Sequence, residues 1–203
     1  MLEHQQPFDP LIQGGDTRFV AMPDIHMTWL SGWGFLLLQS PSESALQEAL
    51  MSHTGLRLPA PQTASVGGDC ALLWLTPQEW LLASPASETE SLRAALTDQL
   101  AIHLAAVTDM SDALAVCELS GTRCTDALMS GCTLDLRADA FPAGRCSRTG
   151  LADIPAILWN PGKEPRSVRC IVDRSHARHV RDWLADAAGC PVLPPARQIT
   201  PCS

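Results

Sequence analysis

Ala49-Leu50-Met51-Ser52, followed by Leu56-Arg57-Leu58, recurs further along the chain as Ala127-Leu128-Met129-Ser130, followed by Leu134-Asp135-Leu136. In both copies the four-residue block closes a stretch of helical spacing, and the Leu-x-Leu triplet enters a loop. Before the first copy, Ala45, Leu46, Ala49 and Leu50 form one apolar stripe over Ser42 to Ser52, and Pro41 and Ser42 suit a helix start. After it, Cys70 to Leu75 and Glu79 to Ala83 read as strands joined by a Thr76-Pro77-Gln78 turn, with a helix from about Glu88 to Leu100. The second copy follows strands near Ala105 to Asp109 and Ala113 to Leu119 and lies on a helix through Cys124, Leu128 and Gly131. Strands then fit Arg145 to Ala152, Ala156 to Trp159 and Val168 to Val172, and a helix fits about Ser175 to Ala188. A unit of antiparallel strands and two helices, used twice, accounts for nearly the whole chain and predicts an α+β fold. The halves fall at 29-103 and 104-190, between an extended arm over 1-28, with room for one short strand, and a tail over 191-203. Trp29 to Gln39 reads as a single strand. In the last strand, Val168, Cys170 and Val172 alternate with Arg169, Ile171 and Asp173, so one face reads as apolar and the other as mixed.

The chain has 203 residues, a formal charge of -8 and a pI near 5.1. That balance leaves no broad basic surface to neutralise phosphates, so neither nucleic acid nor an anionic membrane is an expected partner. Met1 to Pro7 has neither a positive n-region nor an apolar h-region, which points to a cytoplasmic protein. The longest apolar run, Trp29 to Leu38, is shorter than the ~20 residues a membrane helix needs and is broken by Gly32 and Gly34. Eight cysteines lie mostly inside apolar stretches, with no Cys-x-x-Cys pair, so they read as reduced buried thiols rather than as disulfides or zinc ligands.

The chemistry-bearing motifs are few. There is no Gly-x-Gly-x-x-Gly, no phosphate-binding loop and no Gly-x-Ser-x-Gly elbow, so dinucleotide, triphosphate and serine-hydrolase sites have no sequence support. The single lysine, Lys163, sits in an Asn160-Pro161-Gly162-Lys163 turn signal, an exposed setting unsuited to Schiff-base chemistry. His176 and His179 share a helix face but have no third ligand nearby, and a catalytic zinc site needs one. Arg174, Arg178 and Arg181 gather near the start of the final helix, against the helix dipole. A screened surface face with Arg178 paired to Asp182 explains them, as does an acidic patch on a partner. Six tryptophans supply core or interface area. Trp29 and Trp33, on one face of the expected strand, are the preferred interface pair.

Several segments, in order, carry a resemblance. Leu73-Trp74-Leu75-Thr76-Pro77-Gln78-Glu79-Trp80-Leu81-Leu82 is followed by Val107-Thr108-Asp109-Met110-Ser111-Asp112, Leu119-Ser120-Gly121, Cys132-Thr133-Leu134-Asp135-Leu136 and Phe141-Pro142-Ala143-Gly144-Arg145-Cys146. With Arg181-Asp182-Trp183-Leu184 in the last helix, this series resembles the gamma subunit family of heterotetrameric sarcosine oxidase over roughly Leu56 to Gly189. The resemblance implies an accessory subunit packed chiefly on a large alpha subunit, with beta and delta subunits completing the assembly. That enzyme oxidises sarcosine to glycine and passes the one-carbon unit to tetrahydrofolate. FAD, FMN, NAD and tetrahydrofolate are then expected on the partner subunits, with none in this chain.

The family fold is related to the folate-binding aminomethyltransferase of the glycine cleavage system, itself a duplicated α+β unit. There an aspartate after the helix lies beside the folate, and Asp135 holds the similar place here. The preferred reading of Asp135 is a turn cap, through backbone hydrogen bonds. Ending at Ser203, the chain has no expected room for the further domain that completes the aminomethyltransferase pocket. A free-standing folate-binding protein of one-carbon metabolism, centred on Asp135, is the competing reading, and a stand-alone module for another small ligand is a third.

Overall fold

The computed structural model describes residues 17–163 and 166–189. Strands β1 (Thr17–Met22), β2 (Ile25–Leu30) and β3 (Trp33–Gln39) lead to helix α1 (Glu43–Thr54). Then come β4 (Ala64–Gly67), β5 (Cys70–Thr76), β6 (Glu79–Pro85) and α2 (Ala86–Leu100). The second half runs through β7 (Ala106–Asp109), β8 (Leu114–Ser120), α3 (Cys124–Met129), β9 (Cys146–Leu151), β10 (Ile154–Trp159) and β11 (Ser167–Asp173). A 3-10 turn at Arg174–His176 feeds α4 (Ala177–Ala187).

Two wholly antiparallel sheets result, ordered β4-β5-β6-β3-β7 and β1-β2-β8-β11-β10-β9. Within them β4-β5-β6-β3 and β9-β10-β11-β8 are the same arrangement, each with a helix after its first strand and another after its last. The duplicated unit expected from the repeat is therefore present. Ala49 and Leu50 of α1, like Ala127 and Leu128 of α3, are buried beneath their respective sheets.

The buried side chains sort into three core layers by strand alternation. Leu36, Leu38, Leu72, Trp80 and Leu82 face α1 and α2, which contribute Leu46, Leu50, Leu96 and Leu100. Cys117, Leu119, Leu158, Val168 and Cys170 face α3 and α4, which contribute Leu128, Val180 and Leu184. Between the sheets, Phe35, Leu73, Leu81 and Ala83 meet Val116, Cys146, Trp159 and Ile171. Both faces of each central strand are thus covered, and Ser167 to Val172 of β11 is buried throughout. The mixed face expected around Arg169 is not a solvent face, because the second sheet lies over it.

Two expectations need correction. The end of the expected arm, residues 17–28, forms β1 and most of β2, which hairpin around Pro23 and Asp24 and extend the six-stranded sheet. The strand read as Trp29 to Gln39 breaks at Ser31-Gly32, where Gly32 takes a left-handed φ of 75°. The break lets the chain leave one sheet and enter the other: β2 pairs with β8, whereas β3 pairs with β6 and β7. Since β7 precedes β8 in sequence but pairs with β3, the halves exchange their leading strands. Neither sheet is built from one half alone.

Candidate functional site

The least expected polar arrangement lies where the two sheets part. Arg169 on β11 is 7% exposed. Its guanidinium carbon lies 4.7 Å from the Trp33 ring of the opposite sheet and 4.8 Å from the ring of Trp159, its cross-strand neighbour on β10. Its Nε donates to Glu118 Oε2 at 2.9 Å, and Lys163 Nζ donates to the same oxygen at 3.0 Å. Burial would raise the Glu118 carboxyl, but the hydrogen bonds from Arg169 and Lys163, with their charges, hold it below the ordinary carboxylate value. Arg169, Lys163, Trp33 and Trp159 line a cleft of about 420 Å³, whose other walls include Val66, Asp69, Ala71 and Pro161.

Sequence reasoning overlooked this arrangement because alternation alone assigns Arg169 to an outward face. The usable signal was an arginine flanked by Val168 and Cys170 in an otherwise apolar strand, a position that requires a partner.

Asp135, in the loop after α3, is turned to its own neighbour. Its Oδ1 accepts from the Arg137 backbone N–H at 3.1 Å and from Arg137 Nε at 2.9 Å. The Arg137 hydrogen bonds hold its carboxyl at about 2. Its side chain is 41% exposed and does not line the cleft beside Arg169.

The expected interface pair is separated: Trp29 is on β2 and buried in the core beneath α3 and α4, while Trp33 is on β3, half-buried against Arg169. Trp29 therefore offers no surface to a partner in the free chain. Nor do the arginines form one patch. Arg174 donates to the Asp112 carbonyl at 2.7 Å across the sheet end, Arg181 pairs with Asp182 at 2.6 Å, and Arg178 stands exposed. The ion pair within α4 thus involves Arg181 rather than Arg178. His179 Nε2 lies 3.1 Å from the Ala152 carbonyl. Among the described residues, no three His, Cys, Asp or Glu side chains form a metal-binding group.

The six described cysteines are free and five are buried. Burial pushes the Cys170 thiol up to about 12 and the Cys146 thiol up to about 11. Such thiols stay protonated and unreactive at neutral pH.

The segments that carried the resemblance stitch the molecule together. Asp109 Oδ1 accepts from the Ser111 N–H at 2.8 Å, and Ser111 Oγ accepts from the Phe35 N–H at 3.0 Å, joining the halves. Gly121 takes φ 108°, and a Cβ there would lie 2.4 Å from the Asp24 carbonyl oxygen. The buried Phe141 presents its carbonyl to Asn160 Nδ2 at 3.0 Å and to the Arg166 guanidinium at 2.9 Å. Cys146 Sγ lies 3.1 Å from the Thr63 carbonyl oxygen of the first half. Trp183 packs so tightly on Gly131 that a Cβ there would lie 2.3 Å from the indole.

The fold places the chain in a class: duplicated α+β proteins of the aminomethyltransferase type. Aminomethyltransferase T of the glycine cleavage system from Bartonella henselae superposes with a TM-score of 0.60 at 13% identity, over 80% of this chain and 46% of that one, which shows a shared fold. Within that class, residues 39–190 match the model of the sarcosine oxidase, gamma subunit family. Sarcosine oxidase subunit gamma of Corynebacterium sp. (strain U-96) is 37% identical over 84% of this chain and 80% of its own length. The corresponding Arthrobacter sp. subunit is 34% identical over 73% of this chain and 70% of its own length. A chain of the heterotetrameric sarcosine oxidase from Corynebacterium sp. U-96, in complex with pyrrole 2-carboxylate, superposes with a TM-score of 0.75 at 30% identity, covering 84% of this chain and 87% of that one. The chain belongs to the sarcosine oxidase gamma subunit family.

Proposed function

We propose that this chain is an accessory subunit of a heterotetrameric sarcosine oxidase, without a catalytic centre of its own, that supports assembly of the enzyme. In this reading it packs chiefly on the large alpha subunit, alongside beta and delta subunits. The parent enzyme oxidatively demethylates sarcosine to glycine with transfer of the one-carbon unit to tetrahydrofolate, and FAD, FMN, NAD and tetrahydrofolate reside on the partners. The observation that carries the reading is the match to a chain of a heterotetrameric sarcosine oxidase along 87% of that chain's length.

The use made of the family's own motif residues also supports it. They close turns, bridge the halves and admit tight packing. The side chains of Ile102 and Leu104, 87% and 92% exposed beyond α2, offer apolar surface that a partner could cover.

Against the free-standing folate-binding alternative stands the state of Asp135. A carboxylate that recognises a pterin must be desolvated and free to accept, whereas Asp135 is exposed and held by Arg137. Calorimetric titration of the full chain with tetrahydrofolate tests this directly. The accessory reading expects no saturable heat, and stoichiometric binding abolished by Asp135→Asn would overturn it.

A further inference from the structure

The cleft between the sheets has the features of a ligand site that the assembly reading does not use. Arg169 is more than nine-tenths buried, and Nε is its only guanidinium nitrogen with a hydrogen-bond acceptor among the described residues. Its two terminal nitrogens thus have donors to offer to a ligand in the cleft that Arg169 lines. Trp159, which lines the same cleft, has a buried Nε1 without a hydrogen-bond partner. Lys163 contributes a second cation, 52% exposed, and Glu118 is shared between the two, so the cleft floor carries one net positive charge. Asp69, exposed, also lines the cleft and opposes an incoming anion. Among the other walls, Val66, Ala71, Pro85 and Pro161 are apolar. The volume of about 420 Å³ falls in the range of small-molecule sites.

We propose that this cleft binds a small organic carboxylate with a flat or apolar body. The carboxylate bonds to the terminal nitrogens of Arg169 and to Lys163, and the body lies against the apolar walls. Two indoles pack against the guanidinium before any ligand arrives, so its fork is already in place for a planar carboxylate.

The test uses the full chain labelled with 5-fluorotryptophan, with benzoate as the probe and benzamide as its uncharged isostere. The fluorine signals are assigned by Trp33→Phe and Trp159→Phe. Benzoate is expected to shift the Trp33 and Trp159 signals saturably, and benzamide to bind at least about tenfold more weakly, the worth of a charge-assisted hydrogen bond. Arg169→Gln strands Glu118 and risks the fold, so two surface substitutions carry the argument. Lys163→Gln should weaken benzoate about three- to tenfold, and Asp69→Asn should tighten it about two- to threefold. Equal binding of benzoate and benzamide, or indifference to both substitutions, overturns the proposal. Repeating the titration with the labelled chain in its assembled complex fixes the ligand's source. Retained binding supports a free organic acid, whereas loss on assembly shows the cleft filled by a neighbouring subunit and overturns the small-ligand assignment.

Discussion

Glu118 places one carboxylate between two cations, with Arg169 at 2.9 Å and Lys163 at 3.0 Å, in a setting where its side chain is only 18% exposed. Removing that charge leaves a buried guanidinium unpaired, and breaking such pairs costs more than the pairs contribute over apolar replacements. Glu118→Gln should therefore lower unfolding free energy by roughly 2–4 kcal/mol, read by urea denaturation, while Lys163→Gln should cost well under about 1 kcal/mol as an exposed partner. The sign of the pH dependence follows from the depressed carboxyl. Because its folded value lies below its unfolded one, the contribution is full above the unfolded value and is lost as pH falls through the folded value. Asp135 obeys the same sign. Its carboxyl, held at about 2 by the Arg137 hydrogen bonds, should titrate in carbon-detected NMR with a midpoint near that value. Arg137→Ala should bring the midpoint back towards the ordinary aspartate range, and an unchanged midpoint would contradict the pairing. The turn-capping geometry at Asp135 matches its place after a helix, whereas the local sequence around Arg169 signals only an arginine in need of a partner and not which residues supply it. Its members come from β3, β8, β10, β11 and the turn after β10, so only the sheet order brings them together.

At the scale of elements, helix starts and strand alternation were readable because each depends on neighbours in sequence. Ser42 caps α1 by accepting from the Ala45 N–H, and Gly55 ends the helix at φ 69°. The strands β5, β6 and β11 fall within two residues of their expected bounds. What local pattern could not show was a contact made at a distance. Gly34 lies inside β3, and a Cβ there would lie 1.8 Å from Thr89 Oγ1 on the first turn of α2. Thr89 cannot simply turn away, since its hydroxyl donates to the Pro85 carbonyl and meets Ser84 Oγ at 3.0 Å. Gly34→Ala should thus destabilise the protein by about 1–3 kcal/mol through overpacking, with a matching fall in thermal midpoint. Relief by the added substitution Thr89→Ala, which removes both the Oγ1 and the methyl that the new Cβ would meet, would locate the strain at that contact, and a neutral Gly34→Ala would refute it.

At the scale of the molecule, the repeat revealed the duplicated unit but not the exchange of leading strands, because pairing of β2 with β8 and of β7 with β3 leaves no mark in either copy. The boundary expected near residue 104 separates two stretches of sequence, but each sheet draws on both. Separate expression of 29-103 would omit β7's edge on β3, and 104-190 would lack β2's edge on β8. Both pieces should therefore fail to fold, while the full chain should unfold in one transition with coincident near- and far-UV circular dichroism. Two resolved transitions would show the halves to be independent.

The gamma-subunit reading itself is tested most directly by tagging the chain in its native host, isolating it gently, identifying the co-isolated chains by mass spectrometry and assaying sarcosine-dependent peroxide formation. A yellow, active complex containing further subunits is the expected result. The chain recovered alone, colourless, inactive and holding folate, would contradict it.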